Sequence, residues 1–415
     1  MDKYGLTGKK LGHSFSGFIH GMLGDYQYDM YEKTEEEIKD FIKNGDYKGL
    51  NVTIPYKKVV MEVCTKISEN AKKIGSINTI VKKDGEISGY NTDYYGFEYL
   101  IKNSGENIQR KKVIVLGNGG AAATVKVVLT DLMAAEIIVC SRKKTEGCIT
   151  YEELDKYLNA DYIVNTTPVG MYPDNGNSPI DISKFTNLKA VYDIIYNPTY
   201  TKILLDAKRL GIKAFNGLPM LVAQAKKASE IFRNVNIEDS IIDRITKEIM
   251  MDTMNITFIG MPGCGKTTVG NKLSEITGRP FVDVDEEIVK KTGKTIPDIF
   301  KELGEEGFRK IETEVFAEIA SRSGQIIATG GGVVTRNENY DILRQHSIVI
   351  FLDRDINLLA TDGRPLSKQR RLEDIYAERI DNYNSWCDYK IQAITLEQVI
   401  EEIEVLVNIH SYKFY

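Results

Sequence analysis

The chain has 415 residues, of which 42% are hydrophobic and 27% are charged, and its formal net charge is −5. This length is enough for two to three domains that each bury a core. The acidic balance and the lack of a basic tract argue against a nucleic-acid-binding protein. No apolar run approaches the roughly 18 residues of a membrane-spanning helix, and residues 1–5 lack the apolar core of a signal peptide. We therefore expect neither nucleic acid nor membrane as a partner.

The cysteines also bear on location. They are odd in number, scattered and without metal-ligand spacing, which favours reduced thiols in a cytoplasmic protein: Cys64, Cys140, Cys148, Cys264 and Cys387. The sequence is compatible with a homo-oligomer but does not determine the oligomeric state.

In chain order, short β-branched runs alternate with amphipathic stretches from about residue 34 to 237, which predicts an α/β fold. Thr34 and Glu37 are spaced as a capping box that opens a helix. Further on, the pattern predicts strands at 112–116, 136–140, 162–165 and 190–195, and a helix at 220–232. A polar, helical stretch then leads to a domain boundary near residue 252. A second alternation follows, with strands predicted at 256–259, 281–284, 325–328 and 347–352.

A glycine-rich turn follows the strand at 112–116 and lets the backbone approach a pyrophosphate, while the next helix offers its N-terminus to the anion. The residues of this loop are Gly117, Asn118, Gly119, Gly120 and Ala121. The next strand does not end in the acidic residue that would bind a ribose 2′-hydroxyl. Instead it leads into Ser141, Arg142 and Lys143, of which Arg142 can lie against a 2′-phosphate. This favours NADP over NAD; the alternative is a solvated charge run.

Four polar segments precede this loop and stand at turns: Ser14 to Ser16, 51–57, 75–79 and 89–93. Each alone is a common turn former. Together they predict a pocket for a small polyhydroxylated acid. Lys57 and Asp93 are the candidate pair for proton transfer, because hydride transfer between an alcohol and a ketone needs a group that exchanges the hydroxyl proton.

Residues 1 to about 240 resemble shikimate dehydrogenase. The resemblance rests on Ser-x-Ser, Gly49-x-Asn-Val-Thr-x-Pro-x-Lys57, Ile77-Asn-Thr79, Gly89-x-Asn-Thr-Asp93, the glycine loop, Asn165-Thr-Thr-Pro-x-Gly-Met171 and Gly217-x-x-Met-Leu-x-x-Gln224. It implies Lys57 as the catalytic acid/base, assisted by Asp93. The substrate-binding residues it implies are Ser14, Ser16, Thr53, Lys57, Asn78, Asp93, Tyr196 and Gln224. On the cofactor side it adds Thr166, Gly217 and Met220, with Tyr196 also bordering the nicotinamide.

Two positions depart from that family. Gly17 stands where a proline is usual after the second serine, which could loosen the serine turn. Ser141, Arg142 and Lys143 replace the usual Asn-Arg-Thr, so the cofactor preference is less strictly implied.

The second glycine loop follows the apolar strand at 256–259 and has the spacing of a P-loop. Backbone N–H groups wrap phosphates, Lys266 reaches the β and γ oxygens, and Thr267 binds Mg²⁺. The predicted ATP-binding residues in the loop are Gly260, Gly263, Cys264, Gly265, Lys266, Thr267 and Thr268. A P-loop does not name the acceptor, since adenylate kinases, small-molecule kinases and GTPases share it.

Later residues narrow that choice. The run 281–285 alternates, so Asp283 and Asp285 are predicted on one side of a strand, one to support Mg²⁺ and the other to accept a hydroxyl proton. The alternative is a solvated pair leading into a helix. Arg309 and Glu312 are three apart on one helix face, a spacing that as a bare pair is more often structural. The run 329–332 offers consecutive backbone N–H groups to an anion or hydroxyl.

Residues 255 to about 410 resemble shikimate kinase in the order P-loop, Asp-x-Asp, Phe-Arg-x-x-Glu, Gly-Gly-Gly, Arg-Pro-Leu and a late arginine. The resemblance implies that Asp285, Arg309, Gly331, Gly332 and Arg379 bind shikimate. It also implies Mg²⁺ at Thr267 and Asp283, Asp285 and Lys266 in catalysis, and a catalytic, ATP-binding Arg364 in a mobile lid. The stretch 357–363 lacks the basic residue that usually stacks on adenine. ATP over GTP is thus implied by the family alone.

Both resemblances together predict a bifunctional enzyme. One part reduces 3-dehydroshikimate with NADPH, and the other phosphorylates shikimate at its 3-hydroxyl with MgATP. The implied domains are an α/β substrate domain (1–95 with 217–250), a Rossmann dinucleotide-binding domain (96–216) and a P-loop kinase domain with a parallel sheet (253–415). One alternative is an NAD-using quinate/shikimate dehydrogenase fused to the kinase, which Arg142 disfavours. Another is that one half is only a regulatory nucleotide-binding module, which the intact catalytic residues disfavour.

Overall fold

The structure, a computed structural model, describes residues 2–12, 14–359 and 371–407. By its internal contacts the chain divides into two compact units. The first contains Met1–Met171, Asn177–Tyr196 and Asp206–Ile249, and the second contains Tyr172–Gly176, Asn197–Leu205 and Met250–Tyr415. The predicted boundary near 252 and the three predicted domain ranges stay predictions.

The strands up to residue 215 are β1 (Lys3–Gly8), β2 (Gln27–Glu32), β3 (Gly49–Val52), β4 (Lys66–Ile67), β5 (Thr79–Lys83), β6 (Glu86–Tyr90), β7 (Lys112–Leu116), β8 (Glu136–Cys140), β9 (Cys148–Ile149), β10 (Tyr162–Asn165), β11 (Ala190–Asp193) and β12 (Lys213–Phe215). The helices up to residue 253 are α1 (Ser16–Leu23), α2 (Glu35–Asn44), α3 (Glu69–Ile74), α4 (Asp93–Asn103), α5 (Gly120–Asp131), α6 (Lys202–Arg209), α7 (Leu218–Arg233) and α8 (Ser240–Thr253).

The first sheet of unit 1 has the strand order β2-β1-β3-β5-β6-β4. Strand β1 pairs parallel with β2 and β3, whereas β5 is antiparallel to both β3 and β6. Helix α2 packs its apolar face on this sheet and begins with the predicted capping box, in which the Thr34 side chain accepts from the Glu37 N–H and the Glu37 side chain accepts in return.

The second sheet of unit 1 has the order β12-β11-β10-β7-β8-β9, and every pairing in it is parallel. Its central strands are buried along their length, as expected when helices cover both faces. The glycine loop leaves the carboxyl end of β7 and runs into α5. The four strands predicted here are confirmed, except that β11 ends at Asp193, two residues earlier than predicted.

Unit 2 contains the strands β13 (Asn255–Ile259), β14 (Phe281–Asp283), β15 (Ile326–Ala328), β16 (Ser347–Asp353) and β17 (Tyr389–Gln392). Its helices are α9 (Lys266–Thr277), α10 (Val284–Thr292), α11 (Ile296–Ala320), α12 (Glu338–His346), α13 (Leu372–Trp386) and α14 (Leu396–Val407). The sheet order is β14-β15-β13-β16-β17, with all pairings parallel. The predicted α/β class with parallel sheets is therefore confirmed.

Two details of unit 2 differ from a regular pattern. The strand predicted at 281–284 ends at Asp283, and Val284 already belongs to α10. Helix α11 is interrupted at Gly304, whose φ of 71° is left-handed and thus suits a residue without a side chain. Among the described residues, no helix is long and apolar enough to cross a membrane.

Helices α4 and α7 approach each other closely in unit 1, and Gly96 makes this approach feasible. A Cβ at Gly96 would lie 2.5 Å from the Met220 carbonyl oxygen and 3.1 Å from the Gln224 Cβ. The closeness of the two helices thus places Met220 and Gln224 beside the start of α4, where Asp93 is the first residue.

We expect Gly96→Ala to lower the unfolding free energy of unit 1 by about 1–3 kcal/mol, because the added methyl group has no space. Gly21→Ala is the matched control: this α1 glycine has nothing within 4 Å of an added Cβ, so the change should be neutral or stabilise by about 0.5–1 kcal/mol. Urea unfolding followed by circular dichroism measures both. Equal effects of the two substitutions would contradict the packing argument.

Candidate active sites

Lys57 and Asp93 form the centre of the site in unit 1. Lys57 lies in the loop after β3, Asp93 begins α4, and their Nζ and Oδ2 atoms are 2.6 Å apart. The two side chains keep 30% and 21% of their surface exposed, respectively. An ammonium held by a carboxylate but still open to a ligand is suited to give a proton to a developing hydroxyl group.

Asn78 lies next to this pair, and three hydrogen-bond donor contacts converge on its side-chain oxygen. That oxygen accepts from the Thr92 N–H at 2.7 Å, from the Thr92 hydroxyl at 3.2 Å and from the Thr79 hydroxyl at 3.1 Å. The orientation of the amide is thereby fixed, and its nitrogen has no hydrogen-bond partner within the part of the chain that the structure describes. Thr92 was not among the predicted residues; its only signal was its place in the 89–93 motif. The Thr92 hydroxyl group also lies 3.3 Å from the Gln224 side-chain oxygen and can give its single proton to that oxygen or to Asn78, which joins Gln224 to the same group.

The serine turn closes on itself. The Ser14 hydroxyl accepts from the Ser16 N–H at 3.2 Å and donates to the Ser16 hydroxyl at 3.0 Å. Between them, the Phe15 ring meets the Tyr196 ring edge-to-face at 6.0 Å, which brings Tyr196 to this turn. Thr53 lies in the loop after β3, and its N–H donates to the Thr7 carbonyl oxygen at the end of β1.

The predicted cofactor residues gather at the carboxyl edge of the second sheet. The Gly117 N–H donates to the Cys140 carbonyl oxygen at 2.8 Å, so the glycine loop lies beside the segment that carries Ser141, Arg142 and Lys143. Arg142 and Lys143 are exposed. The Thr166 hydroxyl donates to the Leu116 carbonyl oxygen, just before the loop. An open loop flanked by exposed cations fits a dinucleotide with a 2′-phosphate.

Gly217 and Met220 lie at the start of α7, where Gly217 is the N-cap residue. The Gly217 backbone packs against the Ile194 carbonyl group, which follows β11. The remaining loop residues Asn118, Gly119, Gly120 and Ala121 occupy the turn itself and the first residues of α5, and the Asn118 side chain donates to the Thr145 hydroxyl at 3.4 Å.

In unit 2 the P-loop links β13 to α9 and folds around Lys266. The Lys266 Nζ donates to the carbonyl oxygens of Gly260 and Met261 at 2.8 and 3.0 Å, and only 8% of the residue is exposed. Cys264 lies buried behind the amine. Gly260, Gly263 and Gly265 all have positive φ. Thr267 and Thr268 follow in the first turn of α9, so the loop has the curvature that a phosphate cradle requires.

Thr267 and Asp283 meet as the predicted metal pair. The Thr267 hydroxyl donates to Asp283 Oδ2 at 2.7 Å, and the other carboxylate oxygen of Asp283 caps α10 by accepting from the Asp285 N–H at 3.0 Å. A hydroxyl and a carboxylate are the hard oxygen ligands that Mg²⁺ prefers, with water and phosphate completing its coordination. The described residues hold no cluster of three or more His, Cys, Asp or Glu suited to a metal, so the protein would supply few of the ligands.

Asp285 is not on the strand, so the predicted reason for its position is wrong. It lies in the first turn of α10, since β14 ends at Asp283. There it is partly buried: the loss of hydration and, next, the charges of Glu312 and Asp283 raise the pKa of Asp285 to about 6, against the opposing charges of Lys266 and Arg309. A carboxyl group with this pKa can exchange protons near neutrality.

Glu312 is the residue of this site that the sequence reasoning left unassigned. It is 1% exposed and binds Arg309 at 2.8 Å on the face of α11, as the three-residue spacing predicts. Gly330 leaves space beside it, because a Cβ at Gly330 would run into the Glu312 carboxylate. The Arg-x-x-Glu spacing was the available sequence signal, but this spacing does not reveal that Glu312 is buried.

Arg309 and Arg379 converge on the glycine turn after β15. The guanidinium of Arg309 fills the space where a Gly332 side chain would stand, and Arg379 donates to the Gly331 carbonyl oxygen at 3.0 Å. Both arginines are at most 5% exposed, yet within the described residues their Nε atoms, and Nη2 of Arg379, have no hydrogen-bond partner. Buried guanidinium donors without partners fit a carboxylate ligand. The predicted lid residue Arg364 lies outside the described residues.

Comparisons with known proteins match two different families to two stretches of the chain. The family model for the shikimate dehydrogenase substrate binding domain matches residues 6–80, and the model for shikimate kinase matches residues 262–407. A shikimate dehydrogenase (NADP⁺) of Clostridium perfringens is 38% identical over 267 residues, which cover 60% of this chain and 98% of that protein. The chain belongs to the shikimate dehydrogenase family and carries a shikimate kinase domain.

Solved structures resemble the dehydrogenase part in fold as well. A chorismate mutase/shikimate 5-dehydrogenase fusion protein from Clostridium acetobutylicum matches with a TM-score of 0.57 and 39% identity, covering 60% of this chain and 97% of that one. The shikimate 5-dehydrogenase of Thermus thermophilus, solved with NADP(H) and shikimate, matches with a TM-score of 0.55 and 27% identity, covering 60% of this chain and 99% of that one.

The raised pKa of Asp285 predicts how pH changes the stability of the kinase part. A carboxyl group whose folded-state pKa lies above its unfolded value stabilises the fold at low pH, and that contribution is lost as pH rises from about 4 through about 6. In protein freed of metal by a chelator, Asp285→Asn should therefore stabilise unit 2 at pH 7 by about 3 kcal/mol and at pH 4 hardly at all. Fluorescence of the single tryptophan, Trp386, reports this unfolding.

Asp381→Asn is the matched control, because Asp381 is an exposed carboxylate in the same unit. We expect this substitution to leave the pH profile of stability unchanged. A profile in which Asp285→Asn runs parallel to the unsubstituted protein would contradict the raised pKa of Asp285.

Proposed function

We propose that this chain catalyses two consecutive reactions on one small acid. The dehydrogenase part reduces 3-dehydroshikimate to shikimate with NADPH, and the kinase part converts shikimate to shikimate 3-phosphate with MgATP. The observation that carries this proposal is that each part has a proton-handling group: Lys57 beside Asp93, and the partly buried Asp285, which interacts with Arg309 and Lys266. The product of the first reaction is the substrate of the second.

In the dehydrogenase part, NADPH when bound supplies the hydride. Lys57 gives its proton to the oxygen of the carbonyl group that becomes a hydroxyl group, and Asp93 holds the ammonium in place at 2.6 Å. The Asn78 amide nitrogen binds a substrate hydroxyl group. The serine turn with its two hydroxyl groups binds the carboxylate end. These assignments to single residues are part of the proposal.

In the kinase part, MgATP when bound supplies the phosphoryl group. Arg309 and Arg379 hold the substrate carboxylate with guanidinium donors, and Asp285 takes the proton of the attacking hydroxyl group. Lys266 provides positive charge beside the phosphates, while Thr267 and Asp283 hold Mg²⁺. The chain contributes mainly position and charge, as phosphoryl transfer requires little covalent chemistry from the protein.

The proposed function also includes a cellular location and the kind of molecule that the enzyme binds. The five cysteines are free thiols, and we place the enzyme in the cytoplasm, where thiols stay reduced. We propose small-molecule partners only, without nucleic acid or membrane, and leave a homo-oligomer open to measurement.

One reaction mixture tests both activities. Purified protein is given 3-dehydroshikimate, NADPH and MgATP, and the products are followed by mass spectrometry and by the loss of NADPH absorbance. Formation of shikimate 3-phosphate supports both parts. Accumulation of shikimate without phosphate would reject the kinase part alone, and lack of NADPH oxidation would reject the dehydrogenase part.

Single substitutions should separate the two activities. Lys57→Ala should lower the dehydrogenase kcat by about 10²–10⁴-fold, because proton transfer is lost, and leave the kinase intact. Lys266→Ala should lower the kinase kcat by about 10²-fold or more and leave the dehydrogenase intact. Lys58→Ala and Lys272→Ala, which remove exposed lysines close to each site, are the controls. Loss of both activities in either active-site variant would refute two independent sites.

The cofactor assignment depends on Arg142. Arg142→Ala should raise the KM for NADPH by about ten-fold or more, since a charge-assisted contact to the 2′-phosphate is lost, and change the KM for NADH little. Steady-state kinetics with both cofactors measure this difference. Equal increases, or a wild-type preference for NADH, would favour the alternative of an NAD-using quinate/shikimate dehydrogenase.

A further inference from the structure

A buried cluster of aromatic and polar side chains lies behind the serine turn of the dehydrogenase part. His20 of α1 is 1% exposed and stacks on the Tyr28 ring of β2, with centroids 4.0 Å apart and an angle of 12°. The Tyr26 hydroxyl lies 2.6 Å from His20 Nδ1 and donates to the Ser229 hydroxyl at 3.0 Å. No residue of this cluster has a role in the proposed reaction so far.

The Tyr28 hydroxyl group leads from the cluster to one wall of the substrate pocket. It donates to the Asn51 side-chain oxygen at 2.8 Å. Because that oxygen accepts, the Asn51 amide nitrogen is directed to the Thr79 hydroxyl at 3.2 Å and to the Asn78 carbonyl oxygen at 3.4 Å. Asn51 thus joins Tyr28 to both the backbone of Asn78 and the hydroxyl group that orients the Asn78 amide.

The ring of Tyr28 contacts the helix that follows the serine turn, since it stacks on His20 of α1, which begins at Ser16. Burial is the main cause that raises the pKa of Tyr28 well above its ordinary value, so the hydroxyl group stays protonated. Met30 lies two residues further along β2, on the same face as Tyr28. Its Cε atom is 3.5 Å from the position that a Cβ at Gly17, near the start of α1, would occupy. Strand β2 therefore backs the serine turn.

Gly17 makes this support more important in this chain. A proline after the second serine would fix φ of the turn by its ring, and the chain has glycine there. The turn is then held by its own hydrogen bonds and by packing, and Tyr28 contacts α1 through its ring and the Asn51–Asn78 arm through its hydroxyl group.

Resting on the proposed dehydrogenase activity, we propose that Tyr28 is a positioning residue whose hydroxyl group sets the separation of the serine turn and Asn78, and so the affinity for the substrate acid. Its ring packs on His20 and fixes where the hydroxyl group lies. It takes no part in hydride or proton transfer.

Tyr28→Phe tests this inference, since it removes the hydroxyl group and keeps the ring stack. We expect the KM for shikimate in the NADP⁺-dependent oxidation to rise about three- to ten-fold, the value of one or two hydrogen bonds. The dehydrogenase kcat, the KM for NADP⁺ and the kinase activity of the same polypeptide should stay within two-fold. The kinase activity serves as an internal measure of intact protein.

Tyr26→Phe is the matched control, because it removes another hydroxyl group of the same cluster, one that bonds His20 and Ser229 but not Asn51. It should leave the KM for shikimate unchanged. An equal rise in both variants would show general loosening and overturn the inference, as would an unchanged KM in Tyr28→Phe. An unsubstituted protein that does not oxidise shikimate would instead reject the proposed function itself.

A second substitution probes the link to Gly17. If Tyr28 and the residue at position 17 fix the same turn, Gly17→Pro should restore at least half of the affinity lost in Tyr28→Phe, while changing the KM of the otherwise unsubstituted protein much less. Position 17 lies in the first turn of α1, where proline is tolerated. Independent, multiplicative effects of the two substitutions would argue against the shared turn.

Discussion

The chemistry of both parts depends on the parallel alignment of strands, which brings all strand ends to one edge of a sheet. The glycine loop follows β7, the cation segment follows β8, and Thr166 follows β10 in the same sheet. In the kinase part the P-loop, Asp283 and the glycine turn stand at the ends of β13, β14 and β15, which are neighbours in the second parallel sheet. Residues far apart in the chain meet only because the sheet orders their strands in this way.

Buried charge is the second constraint, and it shapes the kinase site. Taking ions out of water is costly, so buried charges are usually paired. Arg309 is paired with Glu312 at 2.8 Å, and Asp285, which faces the Glu312 carboxylate, has no ion-pair partner among the described residues. The protein tolerates this cost at the place where a proton has to be taken up, as is common for active sites.

Much of this arrangement could be predicted from the sequence, because local signals specify it. The strands β7, β8, β10 and β13 are short apolar runs followed by glycine or polar turns, and the capping box of α2 is a four-residue pattern. The position of Asp285 could not be predicted correctly, since whether a chain continues as a strand or turns into a helix after Asp283 is decided by packing against the rest of the unit. The same limit applied to strand ends such as Asp193.

Contacts between residues far apart in the chain could not be predicted from the sequence. Thr92 bonds Asn78 and Gln224, and Tyr28 bonds Asn51, across separations of 14 to 132 positions in the chain. The burial of Glu312 likewise depends on tertiary packing. Single-chain patterns carry no information on such pairs. Arg364, a site residue implied by the resemblance, lies between residues 359 and 371, outside the described ranges.

The glycine turn 330–332 limits which substitutions this sequence can accept. None of the three has a left-handed φ, so backbone geometry does not demand glycine. Each is glycine because a different neighbour occupies the side-chain space: the Glu312 carboxylate at 330, the Pro262 ring at 331 and the Arg309 guanidinium at 332. An alanine at 330 or 332 would displace the Glu312 or Arg309 side chain, whereas an alanine at 331 would press on Pro262 of the P-loop. Substitutions at this turn should therefore mark chains that have kept the kinase fold but lost its acceptor site.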